Sequence, residues 1–217
     1  MRFTFIFSLL FFITSSAYAK CSFEYDFFIP TEKLNNISQM CNFLHKNIAA
    51  SSQITNVLFT KEIEVPNAFA LVHKKSRIIL ISKSFLEIHN FDPKLLAFVF
   101  GHELGHFELG HVKSDNTLSN ILDSFKSGAL ASFGSDSSLL SSGLRFSLNS
   151  YDAKYSQSQE LAADNYSYKL LLNSGFSKND ALNSLAILNR NSSSNSWARF
   201  FSTHPSTQKR IENINSK

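Results

Sequence analysis

The sequence has few of the residues that mark specialised protein classes. Its 217 residues include only seven Gly, four Pro and two Cys. So few Gly and Pro exclude a collagen-like or low-complexity chain, and two Cys exclude a disulfide scaffold or a four-Cys zinc module. Because 43% of the residues are hydrophobic, the chain can bury a core for one domain or two small ones.

Charge is scarce as well. Charged residues make up 18% of the chain, and the net charge is only +4. The basic residues form no stripe and no block, which disfavours nucleic acid and other polyanions as partners. A soluble globular protein with a mildly basic surface is the class that remains.

The first nineteen residues carry the one long apolar run. Arg2 precedes an apolar stretch at 3–13, and Ala17-Tyr18-Ala19 places small residues where signal peptidase reads. This order is typical of a secretory signal peptide over residues 1–19. A membrane anchor would need about 20 apolar residues. We therefore expect residues 20–217 to be exported as a soluble chain without a transmembrane segment.

Export changes how the two cysteines are interpreted. Lys20 rather than a small residue precedes Cys21, so lipid attachment at Cys21 is not expected. Cys41 lies on the apolar stripe of a helix that is predicted to begin at Thr31. In an oxidising compartment we expect a Cys21–Cys41 disulfide. It would close a loop of about 20 residues and contribute about 3 kcal/mol. The alternative is two free thiols.

The remaining pattern predicts an α+β fold that is mostly helical, with a small β-sheet. Short strands are predicted at 54–60, 65–72 and 77–82, with a hairpin turn at 73–76. Asp92 caps a helix with Pro93 at its first position. That helix runs to Phe107 and is apolar on nearly every face, which predicts a buried central helix.

The second half of the chain alternates between irregular and helical sequence. A Ser-rich excursion covers about 114–158, with a candidate helix near 118–133. No linker separates two domains, so we predict a single domain over 20–217. Further helices are predicted at 158–173, 177–189 and 206–215. Ser177 and Asp180 resemble a capping box at the start of the second of these.

The chemistry centres on His102-Glu103-Leu104-Gly105-His106 in the central helix. Two histidines four residues apart differ by about 40° around a helix, so both can bind a single Zn²⁺. Glu103 lies about 100° to the side, where it can act as a general base without being a ligand. An apolar helix bears three such polar groups only if a partner offsets their desolvation, and a metal ion is such a partner.

A zinc site of this kind needs a third protein ligand. On a continued helix His111 would lie about 180° from His102, on the opposite face, so we expect it to be a helix-end residue with no assigned chemistry. Glu108 is interpreted as a solvated or capping-neighbour carboxylate. The better candidate is Glu160, because Asp164 follows it on the same helix face and suits a supporting role behind a ligand histidine.

Together these motifs resemble the HtpX-like metallopeptidases, the family that includes the CAAX prenyl endopeptidases. The resemblance covers about residues 60–215. It rests on the motifs already described and on two further segments, Val65-Pro66-Asn67-Ala68-Phe69-Ala70 and Ser202-Thr203-His204-Pro205 with Arg210.

The resemblance implies a zincin-like endopeptidase domain that holds one Zn²⁺. His102, His106 and Glu160 would bind the ion, Glu103 would be the base, and Asp164 would support the site. His204 and Arg210 would lie near the cleft. It also implies that Asn67-Ala68-Phe69 belongs to the strand before the active-site helix.

The chain departs from the family pattern in two respects. The residues after the Asn-Ala-Phe-Ala segment lack the usual glycines, and the chain continues into neither transmembrane helices nor helical repeats. It therefore looks like an exported stand-alone catalytic domain that acts on unfolded polypeptides. A periplasm is favoured through the resemblance, with secretion as the alternative.

Several roles remain open at this stage. His204 is a candidate oxyanion donor, a fourth zinc ligand that keeps the enzyme latent, or a helix cap. The strand at Asn67 and Phe69 either pairs with an extended substrate or serves core packing. A zinc-bound chaperone that holds exported proteins without cutting them is the rival function, and Glu103 argues against it.

Overall fold

The computed structural model describes residues 19–23, 28–48, 55–61, 63, 66–73, 76–112, 155–191, 204 and 207–217. The predicted signal peptide lies outside these residues except for Ala19. Most of the Ser-rich excursion also lies outside them, together with its candidate helix and the two central residues of the predicted hairpin turn.

A four-stranded sheet has the order β1-β2-β4-β3. Parallel pairing joins β1 to β2 and β2 to β4, whereas β3 lies antiparallel to β4 at the end of the sheet. The three predicted strands and their hairpin are confirmed, and β1 is an addition that no local pattern indicated. The strands are β1 (Ala19–Phe23), β2 (Thr55–Thr60), β3 (Ala68–His73) and β4 (Ser76–Ser82).

The predicted helices that fall on described residues are all present, with ends that differ by a few residues. A short 3-10 turn, Thr31–Lys33, precedes the first of them. One helix, α2, was not predicted. It begins where the Ser82 side chain accepts a hydrogen bond from the Phe85 amide. The helices are α1 (Leu34–Ile48), α2 (Lys83–Ile88), α3 (Pro93–Glu108), α4 (Gln157–Asn173), α5 (Lys178–Asn191) and α6 (Thr207–Asn215).

Side-chain caps account for several helix starts. The Asp92 carboxylate accepts from the Lys94 amide at 2.8 Å and opens α3 as predicted. The Ser177–Asp180 pair at the start of α5 is confirmed, with the Ser177 amide 2.8 Å from the Asp180 carboxylate. Ser156 and Gln159 form a capping box at the start of α4 that the sequence analysis missed.

The core lies between one face of the sheet and the helices. Alternate residues of the strands share this face, including Val57 and Phe59 of β2 and Ala68 and Ala70 of β3. Helix α3 contacts α1, α4, α5 and the strands β3 and β4. The predicted α+β fold with a small sheet beside a buried central helix is confirmed. Among the described residues, no helix has both the length and the apolar character needed to cross a bilayer.

Candidate metal centre

Three polar residues of the site lie on α3, a deeply buried helix. Every residue of α3 from Leu95 to Phe107 is buried, including His102, Glu103 and His106. Such burial of two imidazoles and a carboxyl group costs free energy unless partners compensate for the lost hydration. Those partners come from α4 and α6 and from the segment that precedes α6.

Two glycines let α4 approach α3 closely. A Cβ at Gly101 would lie 2.6 Å from Ser167 Oγ, and a Cβ at Gly105 would lie 3.1 Å from the Ala163 carbonyl oxygen. The helices are held at this distance by Ser167 Oγ, which donates to the Phe98 carbonyl at 2.6 Å. The close approach brings the Glu160 face of α4 against the histidines of α3.

Three acceptor atoms converge at one point between these helices. His102 Nε2 and His106 Nε2 are 3.0 Å apart, and Glu160 oxygens lie 3.5 Å from the first and 3.3 Å from the second. A tetrahedral Zn²⁺ with ordinary bond lengths separates its ligand atoms by about 3.4 Å. The residues therefore fit a metal ion, and the predicted ligands are brought together.

The pKa values of these groups reflect their mutual contact. Burial lowers the pKa of His102, but the Glu160 carboxylate and the hydrogen bond to Asp164 together outweigh burial and raise this pKa to about 9. Burial lowers the pKa of His106 to about 3. Burial opposes ionisation of Glu160, yet the neighbouring His204 and His102 hold its pKa well below the usual value. Glu160 is thus an anion at neutral pH.

Asp164 and Arg210 form the support behind His102. Asp164 Oδ1 accepts from His102 Nδ1 at 2.9 Å, while Arg210 donates through Nε and Nη2 to the two carboxylate oxygens, each at 2.8 Å. Burial raises the pKa of Asp164, but the Arg210 guanidinium outweighs it and lowers that pKa. An anionic Asp164 keeps a proton on His102 Nδ1, so Nε2 is the nitrogen that faces His106 and Glu160.

Glu103 differs from the other carboxylates of the site. Its side chain is fully buried, and neither oxygen has a hydrogen-bond partner in the part of the chain that the structure describes. Burial raises its pKa, against the opposing influence of His204 and His102. His204 Nε2 lies 3.7 Å from Glu103 Oε1.

His204 also lies in the cluster. Its Nδ1 is 3.2 Å from both oxygens of Glu160. One ligand atom from each of His102, His106, Glu160 and His204 falls within 4.8 Å of the others. The structure therefore places His204 at the site, as the resemblance implied, and as close to the ligands as a fourth ligand would be.

His111 follows the end of α3, as expected, but its predicted position on the face opposite His102 was wrong. Helix α3 ends at Glu108, and the chain then turns back so that His111 Nδ1 lies 3.0 Å from His106 Nδ1. A helical-wheel angle does not apply beyond the end of a helix. The glycine at 110, which adopts a φ of +70°, is the sequence feature that could have revealed the turn.

Two further residues were missed or misjudged. Tyr155 stacks on His106 with ring centroids 3.6 Å apart and an angle of 15° between the planes. No local sequence feature indicated this contact across the fold. Glu108 is not simply solvated, because it forms an ion pair with Arg77, whose guanidinium lies 5.4 Å from the centre of the Phe107 ring.

The remaining predicted residues are not members of the ligand-atom cluster. Asn67, Ala68 and Phe69 are buried at the start of β3, at the end of the sheet. The Asn67 amide donates to Ser82 Oγ at 2.9 Å, which ties this segment to the end of β4. The disulfide between Cys21 and Cys41 is present and links β1 to α1.

Comparison with known proteins points to the same family as the site. The chain is 30% identical over 188 residues to the metalloprotease LoiP of Escherichia coli (strain K12), a match over 85% of this chain and 70% of LoiP. It is 32% identical over 112 residues to the metalloprotease YcaL of the same organism, a match over 51% of this chain and 44% of YcaL. Residues 32–217 match peptidase family M48. The resemblance to the HtpX-like enzymes is thereby confirmed, and the chain belongs to peptidase family M48 and is a metallopeptidase.

Proposed function

We propose that this chain is a zinc-dependent endopeptidase that cleaves unfolded, exported polypeptides. The observation that carries the proposal is the convergence of His102, His106 and Glu160 on one point, with the buried Glu103 carboxyl group beside it. A metal site that serves only structure or binding has no need of such a base.

One Zn²⁺ per chain would be held by His102, His106 and Glu160. Bound there, it would supply Lewis acidity toward the peptide carbonyl and lower the pKa of a water molecule. Asp164 keeps His102 in the tautomer that binds a metal. Arg210 in turn holds Asp164 in place and offsets its charge.

Glu103 is the proposed general base. It would take a proton from the attacking water and pass it to the leaving amine. Its burial supports this role, since burial raises the pKa of a carboxyl group and makes it a better proton acceptor at neutral pH.

The position of His204 favours a role at the metal over a helix cap. Two such roles are compatible with a contact to Glu160 and an approach to Glu103: stabilising the oxyanion in the transition state, or binding the metal as a fourth ligand that keeps the enzyme latent. The His204→Ala variant separates them. Proteolysis rises if His204 masks the metal and falls if it stabilises the transition state.

Strand β3 is the proposed substrate-binding edge. Among the described strands it pairs with β4 alone, and an extended peptide would pair along its other edge. The Phe69 ring is only 2% exposed, so it packs inside the protein and would not itself contact the substrate. Pairing of this kind selects unfolded segments.

Export through a signal peptide at 1–19 belongs to the same proposal. The disulfide between Cys21 and Cys41 supports it, because structural disulfides persist in oxidising compartments. A periplasmic location is the favoured one.

Incubation of the purified chain with unfolded casein tests the function. We expect peptide fragments, none after chelator treatment, and recovery on addition of Zn²⁺. The matched control is His102→Ala, which should stay inactive with added Zn²⁺. Suppressed casein aggregation without fragments would instead indicate the non-cleaving chaperone.

A further inference from the structure

The two ligand histidines have different partners on their outer ring nitrogens. His102 is held through Nδ1 by a carboxylate, that of Asp164, at 2.9 Å. The corresponding atom of His106 lies 3.0 Å from a third imidazole, that of His111. The first arrangement is the common one behind metal-bound histidines, whereas the second uses a neutral ring as the acceptor.

The end of α3 builds the second arrangement. Gly110 has a φ of +70°, its amide donates to the Phe107 carbonyl at 3.1 Å, and the His111 amide donates to the His106 carbonyl at 2.8 Å. These two hydrogen bonds form a Schellman motif, which brings the residue after the glycine back over the last turn. An apolar contact usually joins these two positions, and here a pair of imidazoles replaces it.

The hydrogen bond between His106 Nδ1 and His111 Nδ1 needs a proton on one of the two atoms and a lone pair on the other. His106 Nε2 faces His102 Nε2 and Glu160 Oε1, so it must be unprotonated when a metal binds there. His106 then carries its proton on Nδ1 and donates it to His111. The contact thus selects the His106 tautomer that can bind a metal.

Tyr155 restrains only part of the orientation of the His106 ring. The tyrosine ring lies parallel to the His106 ring within 15° and so restrains the plane of the imidazole. A stacked ring does not restrain rotation within that plane or the choice of tautomer, because it contacts no ring nitrogen in the plane. Both depend on the Nδ1 contact.

We propose that His111 is a positioning residue that orients His106 and fixes its tautomer for metal binding. The proposal rests on the proposed function, since it takes His106 to be a zinc ligand. Loss of an outer-shell partner typically weakens metal affinity by about 10–100-fold.

Zinc affinity, measured by competition with a chromophoric chelator, tests the proposal. His111→Phe keeps a ring but removes the acceptor, and it should weaken zinc binding by about 10–100-fold. His111→Asn places a carbonyl oxygen where Nδ1 lies and should bind zinc close to the wild-type level. Thermal melting in chelator checks that both variants fold equally well.

A packing role predicts the reverse order, with Phe tolerated and Asn not. Wild-type affinity in His111→Phe, or an equal loss in both variants, would overturn the proposal. His106→Ala separates this failure from that of the proposed function. If His106→Ala keeps its zinc, the ligand set is wrong; if it loses zinc while His111→Phe does not, only the positioning role fails.

Discussion

Glu160 shows how a single residue can be chosen as a ligand from its surroundings. Its spacing to Asp164 is common on solvated helices, and only the need for a third ligand singled it out. In the structure it contacts His102, His106 and His204, and these neighbours lower its pKa in spite of burial. Both lines of reasoning lead to the same role.

The Glu160→Ala variant should therefore lose bound zinc in elemental analysis of the purified protein, because one of three ligand groups is removed. Glu108→Ala is the matched control. Its carboxylate pairs with Arg77 and is not a member of the ligand-atom cluster, so this variant should keep its zinc. Unchanged zinc content in Glu160→Ala would show that another residue is the third ligand. His204 would then be the first alternative.

His89 gives a prediction on pH and stability that does not involve the metal centre. The residue is 4% exposed, and burial lowers its pKa to about 4 against the raising influence of Asp92. The unfolded chain binds a proton at His89 below about pH 6.5, whereas the folded chain does so only below about pH 4. Its contribution to stability is therefore present above pH 6.5 and is lost as the pH falls toward 4.

Between pH 7 and pH 5, proton uptake by His89 in the unfolded chain should lower the free energy of unfolding by roughly 2 kcal/mol. Urea unfolding of the wild type and of His89→Gln at both pH values measures this effect, since the variant cannot take up this proton. An equal loss of stability in the two proteins would contradict the assignment.

At the scale of elements, the contact between α3 and α4 determines where the ligands meet. Gly101 and Gly105 of α3 face Ser167 and Ala163 of α4 with less space than a methyl group needs. The role of these glycines was not predicted, because nothing in the local sequence shows which face of a buried helix meets its partner.

The Gly101→Ala variant should separate the two helices. A new methyl group 2.6 Å from Ser167 Oγ should cost about 1–3 kcal/mol of stability and should also weaken zinc binding. Ser167→Ala removes that oxygen, so the double variant should be more stable than the sum of the single effects predicts. Additive effects in urea unfolding would show that this contact does not limit the helix approach.

At the scale of the whole molecule, the strongest local patterns were predicted well. The central helix, its Asp92 cap and the β3–β4 hairpin follow from periodicity and turn chemistry. Strand β1 was not predicted, because it is short and because its parallel pairing with β2 joins residues that are distant in sequence. Tyr155 and His111 were missed for the same reason: a stacking contact and a chain reversal depend on tertiary structure.

The disulfide is a constraint on the whole chain, since it ties β1 to α1 across a separation of 20 residues. Its removal in a Cys21→Ser, Cys41→Ser double variant should lower the unfolding free energy by about 3 kcal/mol. Zinc content should not change, because neither cysteine lies in the ligand cluster. Wild-type protein melted with reductant should behave like the variant, and equal melting temperatures with and without the disulfide would contradict this.

The central claim is that Glu103 acts as the base beside a zinc ion that it does not bind. Cleavage of unfolded casein by zinc-loaded Glu103→Gln, at a measured zinc content of one per chain, tests it most directly. We predict full zinc content and a rate about 10²–10⁴-fold below that of the wild type. Casein cleavage near the wild-type rate by this variant would contradict the account.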